Sequence, residues 1–135
     1  MLTTAEIAPS LRPGMHAATF GGNPIAARAG IATLETIEEQ KLLARTKELE
    51  AAFNARLEPL VQSLPMVNEL RIRGLMIGLE LSVDGTQVVS QCIEEGLLIN
   101  CTQGTVIRLL PAMTLTDEQL QRGCDILEHA LKQAD

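Results

Sequence analysis

The sequence predicts an α+β fold in which a small antiparallel-rich sheet is covered by helices on one face. Two observations support this class. Helical periodicity extends over residues 24–60 and from residue 117 onward, whereas two pairs of short apolar segments lie between these regions. Hydrophobic residues make up 46% of the 135 positions, which is enough for one core. The predicted order is arm, two helices, two strands, helix, two strands, helix.

The first part of the chain is predicted to be an arm followed by two helices. Prolines and glycines interrupt residues 1–22, which have too few apolar residues to fold alone. Apolar spacings of three and four predict a helix from Pro24. The polar residues 38–40 predict a kink or a break, and an amphipathic helix follows, which Pro59 and Pro65 are expected to end.

The remaining elements are predicted from turn residues and from alternation. In order, they are two strands within residues 70–81 divided by Gly74, a turn at Asp84-Gly85, a helix over residues 86–95, a strand over 97–101, a turn at Gln103-Gly104 and a return strand over 105–110. Thr116 and Gln119 form a capping-box pattern that opens the last helix. The predicted core face of that helix carries Leu120, Cys124, Leu127 and Leu131.

The charge balance and the cysteines limit the partners and the location. The chain has 11 basic and 17 acidic residues and no basic cluster, which argues against nucleic acid and membrane partners. We see neither a membrane-spanning run nor a secretion signal. The 3 cysteines contain no Cys-x-x-Cys pair, so we predict no metal site and expect buried thiols in a cytoplasmic protein.

Residues 16–24, His-Ala-Ala-Thr-Phe-Gly-Gly-Asn-Pro, combine a hydroxyl, an aromatic ring and two glycines before a helix. The glycines let the backbone approach a ligand closely, and Asn23 and Pro24 suit a helix start. Thr19 offers its hydroxyl upstream of a positive helix end, which suits a phosphate or a carboxylate. On spacing alone, a capped helix after a tight loop is the simpler interpretation.

Arg108 lies within an apolar strand and has two interpretations. Alternation alone turns it outward to water. Alternatively, its planar guanidinium binds a carboxylate through two parallel hydrogen bonds, which lysine cannot match. By the same alternation Arg71 and Arg73 share one face, and we expect Glu80 to be paired or exposed. His129, late in a helix, and His16 are assigned no catalytic role.

Three segments resemble class III pyridoxal-phosphate aminotransferases: residues 16–24, residues 71–81 (RIRGLMIGLEL) and residues 106–111 (VIRLLP). With residues 96–100 (GLLIN) between them, the sequence is most similar to the acetylornithine aminotransferase branch. The resemblance covers nearly the whole chain but only about the last third of a family enzyme. It implies the C-terminal domain of fold-type I enzymes, with residues 1–22 as an arm or linker from the large domain and 23–135 as the small domain with its leading long helix.

The resemblance also implies roles for two residues. The arginine at position 108 would bind the substrate α-carboxylate. Thr19 would donate to the phosphate of pyridoxal 5'-phosphate bound in the other subunit of a homodimer. Ala17 and Ala18 depart from the family's Gly and Ser/Thr, which removes one potential phosphate contact. Ile72 and Ala112 replace a usual glycine and proline, respectively.

A family transaminase needs a lysine that forms the internal Schiff base and moves the proton. Lys41, Lys47 and Lys132 are the lysines of this chain, and none is in a similar motif. The resemblance places the catalytic lysine upstream. We therefore expect no catalytic residue in this chain and no transaminase activity from it alone.

Two hypotheses for function follow. In the first, the chain is the C-terminal domain of an acetylornithine-type aminotransferase, which transfers an amino group from N-acetylornithine to 2-oxoglutarate in arginine synthesis; ornithine and 4-aminobutyrate transamination remain open. In the second, it is a non-enzymatic module that binds a small ligand or mediates dimerisation. A carboxylate from the same domain paired with Arg108 would weaken the substrate role.

Overall fold

The computed structural model describes residues 3–12, 14–15 and 18–134. His16 and Ala17, which belong to the N-terminal motif, lie outside these residues. The chain divides into two compact units, Met1–Thr36 and Ile37–Asp135.

The first unit contains a 3-10 turn at Ala8–Ser10 and most of helix α1, Pro24–Glu39. The side chain of Asn23 caps this helix and also bonds to the turn that precedes it. Its Oδ1 accepts a hydrogen bond from the Ala26 N–H at 2.9 Å, and its Nδ2 donates to the Phe20 carbonyl at 2.7 Å. The predicted helix start at Pro24 is therefore confirmed, with the expected cap.

Helix α2 runs from Leu42 to Ser63, so the predicted break after α1 is confirmed. Lys41, with a φ of 51°, adopts the left-handed conformation at this break. The prediction that Pro59 ends the helix is wrong, because α2 continues for another turn beyond it. Pro59 and Ala55, whose carbonyl loses its helical donor, are both exposed, so water can satisfy that carbonyl.

In the described part of the chain, four strands form an antiparallel sheet in the order β1-β2-β4-β3. The strands are β1 (Val67–Arg73), β2 (Met76–Leu81), β3 (Asn100–Thr102) and β4 (Val106–Leu109). Gly74 turns the β1–β2 hairpin with a φ of +59°, and Gly104 turns the β3–β4 hairpin with a φ of +79°. Both values are in the left-handed region that favours glycine, which accounts for the predicted turn at Gln103-Gly104 and for the tight turn at Gly74, where the sequence predicts only a division between two strands.

Strand β3 begins later than the sequence predicts. The expected strand over residues 97–101 is wrong at its start, because strand pairing begins at Asn100. The Leu97 N–H instead donates to the Cys92 carbonyl at 2.7 Å, closing the end of helix α3 (Thr86–Glu94). Leu97 and Ile99 lie in an irregular segment and pack against the core. These apolar residues are therefore packed against the core although they do not pair in the sheet.

Helix α4, Asp117–Ala134, begins with the predicted capping box. The Gln119 N–H donates to Thr116 Oγ1 at 3.2 Å, and the Thr116 N–H donates to Gln119 Oε1 at 3.0 Å. The predicted core face is confirmed in full, since its four apolar residues are 0–1% exposed.

The core of the second unit lies between the sheet and helices α2, α3 and α4. One side of the central strands supplies fully buried residues, including Ile77, Leu79 and Ile107, which pack with buried residues of the three helices. The opposite side carries polar and charged residues. Helices on one face of a small antiparallel sheet are therefore confirmed.

The cysteines behave as packing residues. Cys92 and Cys124 are buried, and all three cysteines of the sequence are free thiols. Burial raises the pKa of the Cys92 and Cys124 thiols to about 11, so both stay protonated and unreactive at neutral pH. The prediction of buried thiols is confirmed for these two, whereas Cys101 is only half-buried.

The stability of the second unit should depend on the inner face of β2. Leu79 is fully buried, so Leu79→Ala is expected to lower the free energy of unfolding by about 2–5 kcal/mol through lost burial and the cavity left behind. Leu98→Ala makes the same chemical change at a side chain that is 86% exposed and should change stability by less than about 0.5 kcal/mol. Urea denaturation of the two variants and the parent checks this; equal losses would contradict the assigned core.

Candidate functional site

A row of residues crosses the outer face of the sheet, the face opposite the helices. The strand register pairs Arg71 with Gly78, Gly78 with Arg108 and Arg108 with Asn100, so these four lie at one level on four successive strands. They share this face because Ile77 and its alternate neighbours are buried on the other. The alternation therefore turns Arg108 outward, as the sequence alone suggested.

Gly78 leaves the middle of this row without a side chain. A Cβ built there would come no closer than 3.4 Å to a side-chain atom of Val106, so a small side chain would fit; the glycine leaves space. The result is an open trough of about 290 Å³. Its lining comprises Arg71, Ile72, Arg73, Met76, Ile77, Gly78, Val106 and Arg108.

Arg108 presents an exposed guanidinium at one side of this trough. Its Nε donates to Asn100 Oδ1 at 3.2 Å, which links β4 to the edge strand β3. Among the described residues of the second unit, no carboxylate forms an ion pair with it. The amide of Asn100 orients the side chain without neutralising it, so both terminal nitrogens remain free to bind an anion.

Arg71, on the other side of the trough, is neutralised within the sheet. Its Nη1 donates to Glu69 Oε2 at 2.5 Å, and its Nη2 donates to Glu80 Oε2 at 2.7 Å. Thr105 Oγ1 donates to the other oxygen, Glu80 Oε1, at 2.8 Å. The hydrogen bonds from Arg71 and then Thr105 lower the pKa of the Glu80 carboxyl, so this carboxylate is ionised at neutral pH.

The arginines that line the trough therefore differ in whether a carboxylate neutralises them. Arg71 is paired with two carboxylates, whereas Arg108 and Arg73 form no ion pair among the residues that the structure describes. Unpaired guanidinium groups beside a strand position that has no side chain favour a small carboxylate or another anion. The arrangement can bind and orient such a group, but it contains no nucleophile.

Thr19 lies in the first unit, within a compact turn. The Gly21 N–H donates to the Ala18 carbonyl at 3.1 Å, and Gly22 has a φ of +74°, so both glycines shape this turn. Thr19 and Phe20 are exposed, and Phe20 is exposed by 81%. The side chain of Asn23 satisfies one N–H at the start of α1. The exposed Thr19 hydroxyl, upstream of this helix, is therefore not needed as its cap and is available as a donor.

The predicted site residues belong to different units. Thr19 lies in Met1–Thr36 and Arg108 in Ile37–Asp135, and the local geometry of each is set by its own unit. None of the three lysines lines the trough. Lys41 occupies the turn before α2, Lys47 lies on α2, and Lys132 pairs with Glu128 at 2.7 Å.

Sequence reasoning missed three contributors to the outer face: Gly78, Asn100 and Thr105. Alternation could have identified Gly78 and Glu80 as outward residues of β2. It could not have paired them with β4, because the order of strands depends on which edges meet in the folded unit. Asn100 was read as the fourth residue of an apolar strand, which hid its role beside Arg108.

Other kinds of site receive no support from the described residues. The helices there are all too short or too polar to serve as membrane spans. In the same ranges, no group of three or more histidine, cysteine, aspartate or glutamate side chains is placed to bind a metal ion. His129 makes a surface contact, with its Nδ1 at 2.9 Å from Glu95 Oε1.

Two curated relatives show the extent of sequence similarity. The chain is 37% identical over 131 residues to an acetylornithine aminotransferase of Methanothermobacter thermautotrophicus, covering 97% of this chain and 34% of that protein. It is 40% identical over 129 residues to an ornithine aminotransferase of Bacillus subtilis, covering 96% of this chain and 32% of that protein. The chain thus spans about a third of the length of these relatives.

A solved structure and a family model agree with these relatives. The ornithine aminotransferase of Toxoplasma gondii, described with partial occupancy of PLP at its active site, matches with a TM-score of 0.87 and 32% identity over 96% of this chain and 31% of its own. The family model described as aminotransferase class-III matches residues 1–131. Because that match spans nearly every position, this chain belongs to the class III aminotransferase family.

Proposed function

We propose that this chain is the C-terminal domain of an acetylornithine-type aminotransferase and that Arg108 binds the α-carboxylate of its substrates. The proposed reaction transfers an amino group from N-acetylornithine to 2-oxoglutarate in cytoplasmic arginine synthesis. One observation chiefly supports it: within a member of this family, Arg108 faces an open trough with no carboxylate of the second unit's described residues paired to it. The proposed boundaries are an arm at residues 1–22 and the small domain at 23–135.

The residues present fit part of a pyridoxal-phosphate site. The exposed hydroxyl of Thr19, beside a turn open to close backbone approach, suits one phosphate oxygen. We propose that it reaches the cofactor of the other subunit in a homodimer. Pyridoxal phosphate, when bound, supplies the electron sink that makes amino transfer feasible. Ala18 has no hydroxyl, so Thr19 would be the principal side-chain donor of this turn.

Arg108 would act by orientation. Two parallel hydrogen bonds from its guanidinium fix both the position and the plane of a carboxylate, and thereby fix the bond at the adjacent α-carbon. The Asn100 amide restricts rotation about the arginine side chain from one side. The Gly78 floor leaves room for the substrate carboxylate above the sheet.

The covalent and proton-transfer steps require an amine that we assign to another part of the enzyme. Each lysine of this chain lies away from the trough, and Lys132 is paired with Glu128. We therefore propose that the 135-residue chain has no transaminase activity alone. Adding pyridoxal phosphate to it should give only the spectrum of the free cofactor; a stable new visible absorbance band would contradict this.

Two alternatives are separated by different tests. The first alternative, ornithine transamination, is supported by the similarity to the Bacillus subtilis and Toxoplasma gondii ornithine aminotransferases. Initial rates of the complete enzyme with N-acetylornithine, ornithine and 4-aminobutyrate would rank the donors. A non-enzymatic binding or dimerisation module is disfavoured because the family model described as aminotransferase class-III matches residues 1–131.

The carboxylate role is tested most directly by Arg108→Gln in the complete enzyme. Loss of the charge-assisted pair should lower kcat/KM for the amino donor and for the 2-oxo acid roughly a hundredfold, equivalent to about 3 kcal/mol of lost transition-state stabilisation. Arg108→Lys should recover only part of this because an ammonium cannot form the parallel pair. Steady-state kinetics with both substrates measure the effect.

Two further variants control this experiment. Arg122→Gln makes the same change at an exposed arginine of α4 and should leave kcat/KM within twofold of the parent, as expected for a remote surface change. Gly78→Val should fill the trough and raise KM while leaving the free energy of unfolding unchanged or higher, because valine favours strands. An Arg108→Gln enzyme as active as Arg122→Gln would eliminate the proposed role.

The phosphate role of Thr19 predicts a hydroxyl-specific effect. Thr19→Val keeps the side-chain shape and removes the donor, so the complete enzyme should bind pyridoxal phosphate about fivefold to tenfold more weakly, the equivalent of about 1 kcal/mol. Thr19→Ser keeps the hydroxyl and should bind nearly as tightly as the parent. Cofactor titration followed by absorbance measures both; equal affinities for the valine and serine variants would exclude the hydroxyl as donor.

A further inference from the structure

Glu80 is a diagonal neighbour of Arg108 on the outer sheet face. Gly78 lies opposite Arg108 in the register, and Glu80, two residues along β2, lies opposite Val106. Both side chains point to the same face, and diagonal cross-strand neighbours are within reach of long side chains. Because Gly78 has no side chain, nothing on β2 at the level of Arg108 separates the two groups. Glu80 is therefore a built-in competitor for the guanidinium that the proposed function assigns to substrate.

The structure shows this competitor engaged elsewhere. Both Glu80 oxygens already accept hydrogen bonds: Oε2 from Arg71 Nη2 at 2.7 Å, and Oε1 from Thr105 Oγ1 at 2.8 Å. Arg71 belongs to β1, on the opposite side of β2 from β4. Arg108 instead donates to the neutral amide of Asn100 on β3. These two opposite charges on adjacent strands thus each have other hydrogen-bond partners and form no ion pair with each other.

We propose that Arg71 is a positioning residue that sequesters Glu80 and thereby keeps Arg108 available to the substrate carboxylate. This inference rests on the proposed function of Arg108. Arg71 makes no contact with substrate in this proposal; it acts by holding a carboxylate. Thr105 assists from the loop before β4 by occupying the second Glu80 oxygen.

The charge state of Glu80 makes this restraint necessary at neutral pH. Its hydrogen bonds from Arg71 and Thr105 lower its pKa, and even its ordinary value of 4.5 leaves it ionised at pH 7. A released Glu80 would therefore remain an anion beside Arg108. It would compete with substrate as a tethered carboxylate, which raises KM without removing any group that takes part in the chemistry.

The test is a double-mutant cycle in the complete enzyme with Arg71→Gln, Glu80→Gln and the double variant. Arg71→Gln should raise KM for both carboxylate substrates by about two- to fivefold, the range of one exposed ion pair, with kcat little changed. Glu80→Gln alone should have the parent KM or a lower one. The double variant should match Glu80→Gln, because no competing carboxylate remains.

Glu69→Gln is the matched control. It removes the other carboxylate bonded to Arg71 but lies on β1, directly opposite Glu80 and one strand farther from Arg108. Its KM should equal that of the parent. A merely structural role for Arg71 predicts a different pattern, in which Glu80→Gln fails to restore KM in the double variant. That result, or a parent-like KM for Arg71→Gln, would overturn the proposal.

A second measurement separates this proposal from the proposed function. In the full 135-residue chain, the side-chain Nε–Hε resonance of Arg108 should shift in Arg71→Gln and return to its parent position in the double variant. If Arg108→Gln does not affect substrate KM, the proposed function fails, yet this resonance still reports whether Glu80 moves to Arg108. An unshifted Arg108 resonance in Arg71→Gln rejects the sequestration itself.

Discussion

Burial of one side of β2 is the constraint on which the outer face depends. Ile77, Leu79 and Leu81 are at most 2% exposed, and β2 pairs with a strand on each side. A slip of one residue would bring Gly78 and Glu80 into the core and expose three large apolar side chains. The hydrophobic effect thereby fixes which residues of β2 face outward on the side that carries Arg108. The electrostatics of the trough is a consequence of packing on the other side of the sheet.

Most elements could be predicted because their signals are local. The Asn23 cap, the turn at Gly104 and the Thr116 capping box each require only a few adjacent residues, and each forms as expected. The two misplaced boundaries depend on tertiary context. Pro59 is tolerated inside α2 because the residue whose carbonyl it leaves unbonded is exposed to water, and Leu97 and Ile99 pack against the core without pairing in the sheet. Neither circumstance is visible in the sequence of the segment itself.

The site was predictable only in part. Alternation correctly turned Arg108 outward, and resemblance to the family supplied a role for it. The sequence could not show that Asn100 orients it or that Gly78 lies beside it, since these neighbours come from strands 8 and 30 positions away in the chain and meet through the order β1-β2-β4-β3. Glu80 was expected to be paired or exposed, and the sequence could not show that its partners would be Arg71 and Thr105.

The outer face also departs from what stability alone would favour. A glycine in a central strand loses conformational entropy on folding and contributes no packing, a loss of about 0.5–1 kcal/mol relative to alanine. An arginine left without a carboxylate forgoes up to about 1 kcal/mol from a surface pair. In this chain Gly78 and Arg108 are direct cross-strand partners, so both departures occur at one place. Elsewhere on the second unit Arg45, Arg56 and Arg71 are each bonded to two carboxylates. Arg73 and Arg122 also form no ion pair, but among the described arginines of the second unit only Arg108 combines an unpaired guanidinium with a glycine as its direct cross-strand partner, which supports the proposed binding of an anion from outside the sheet.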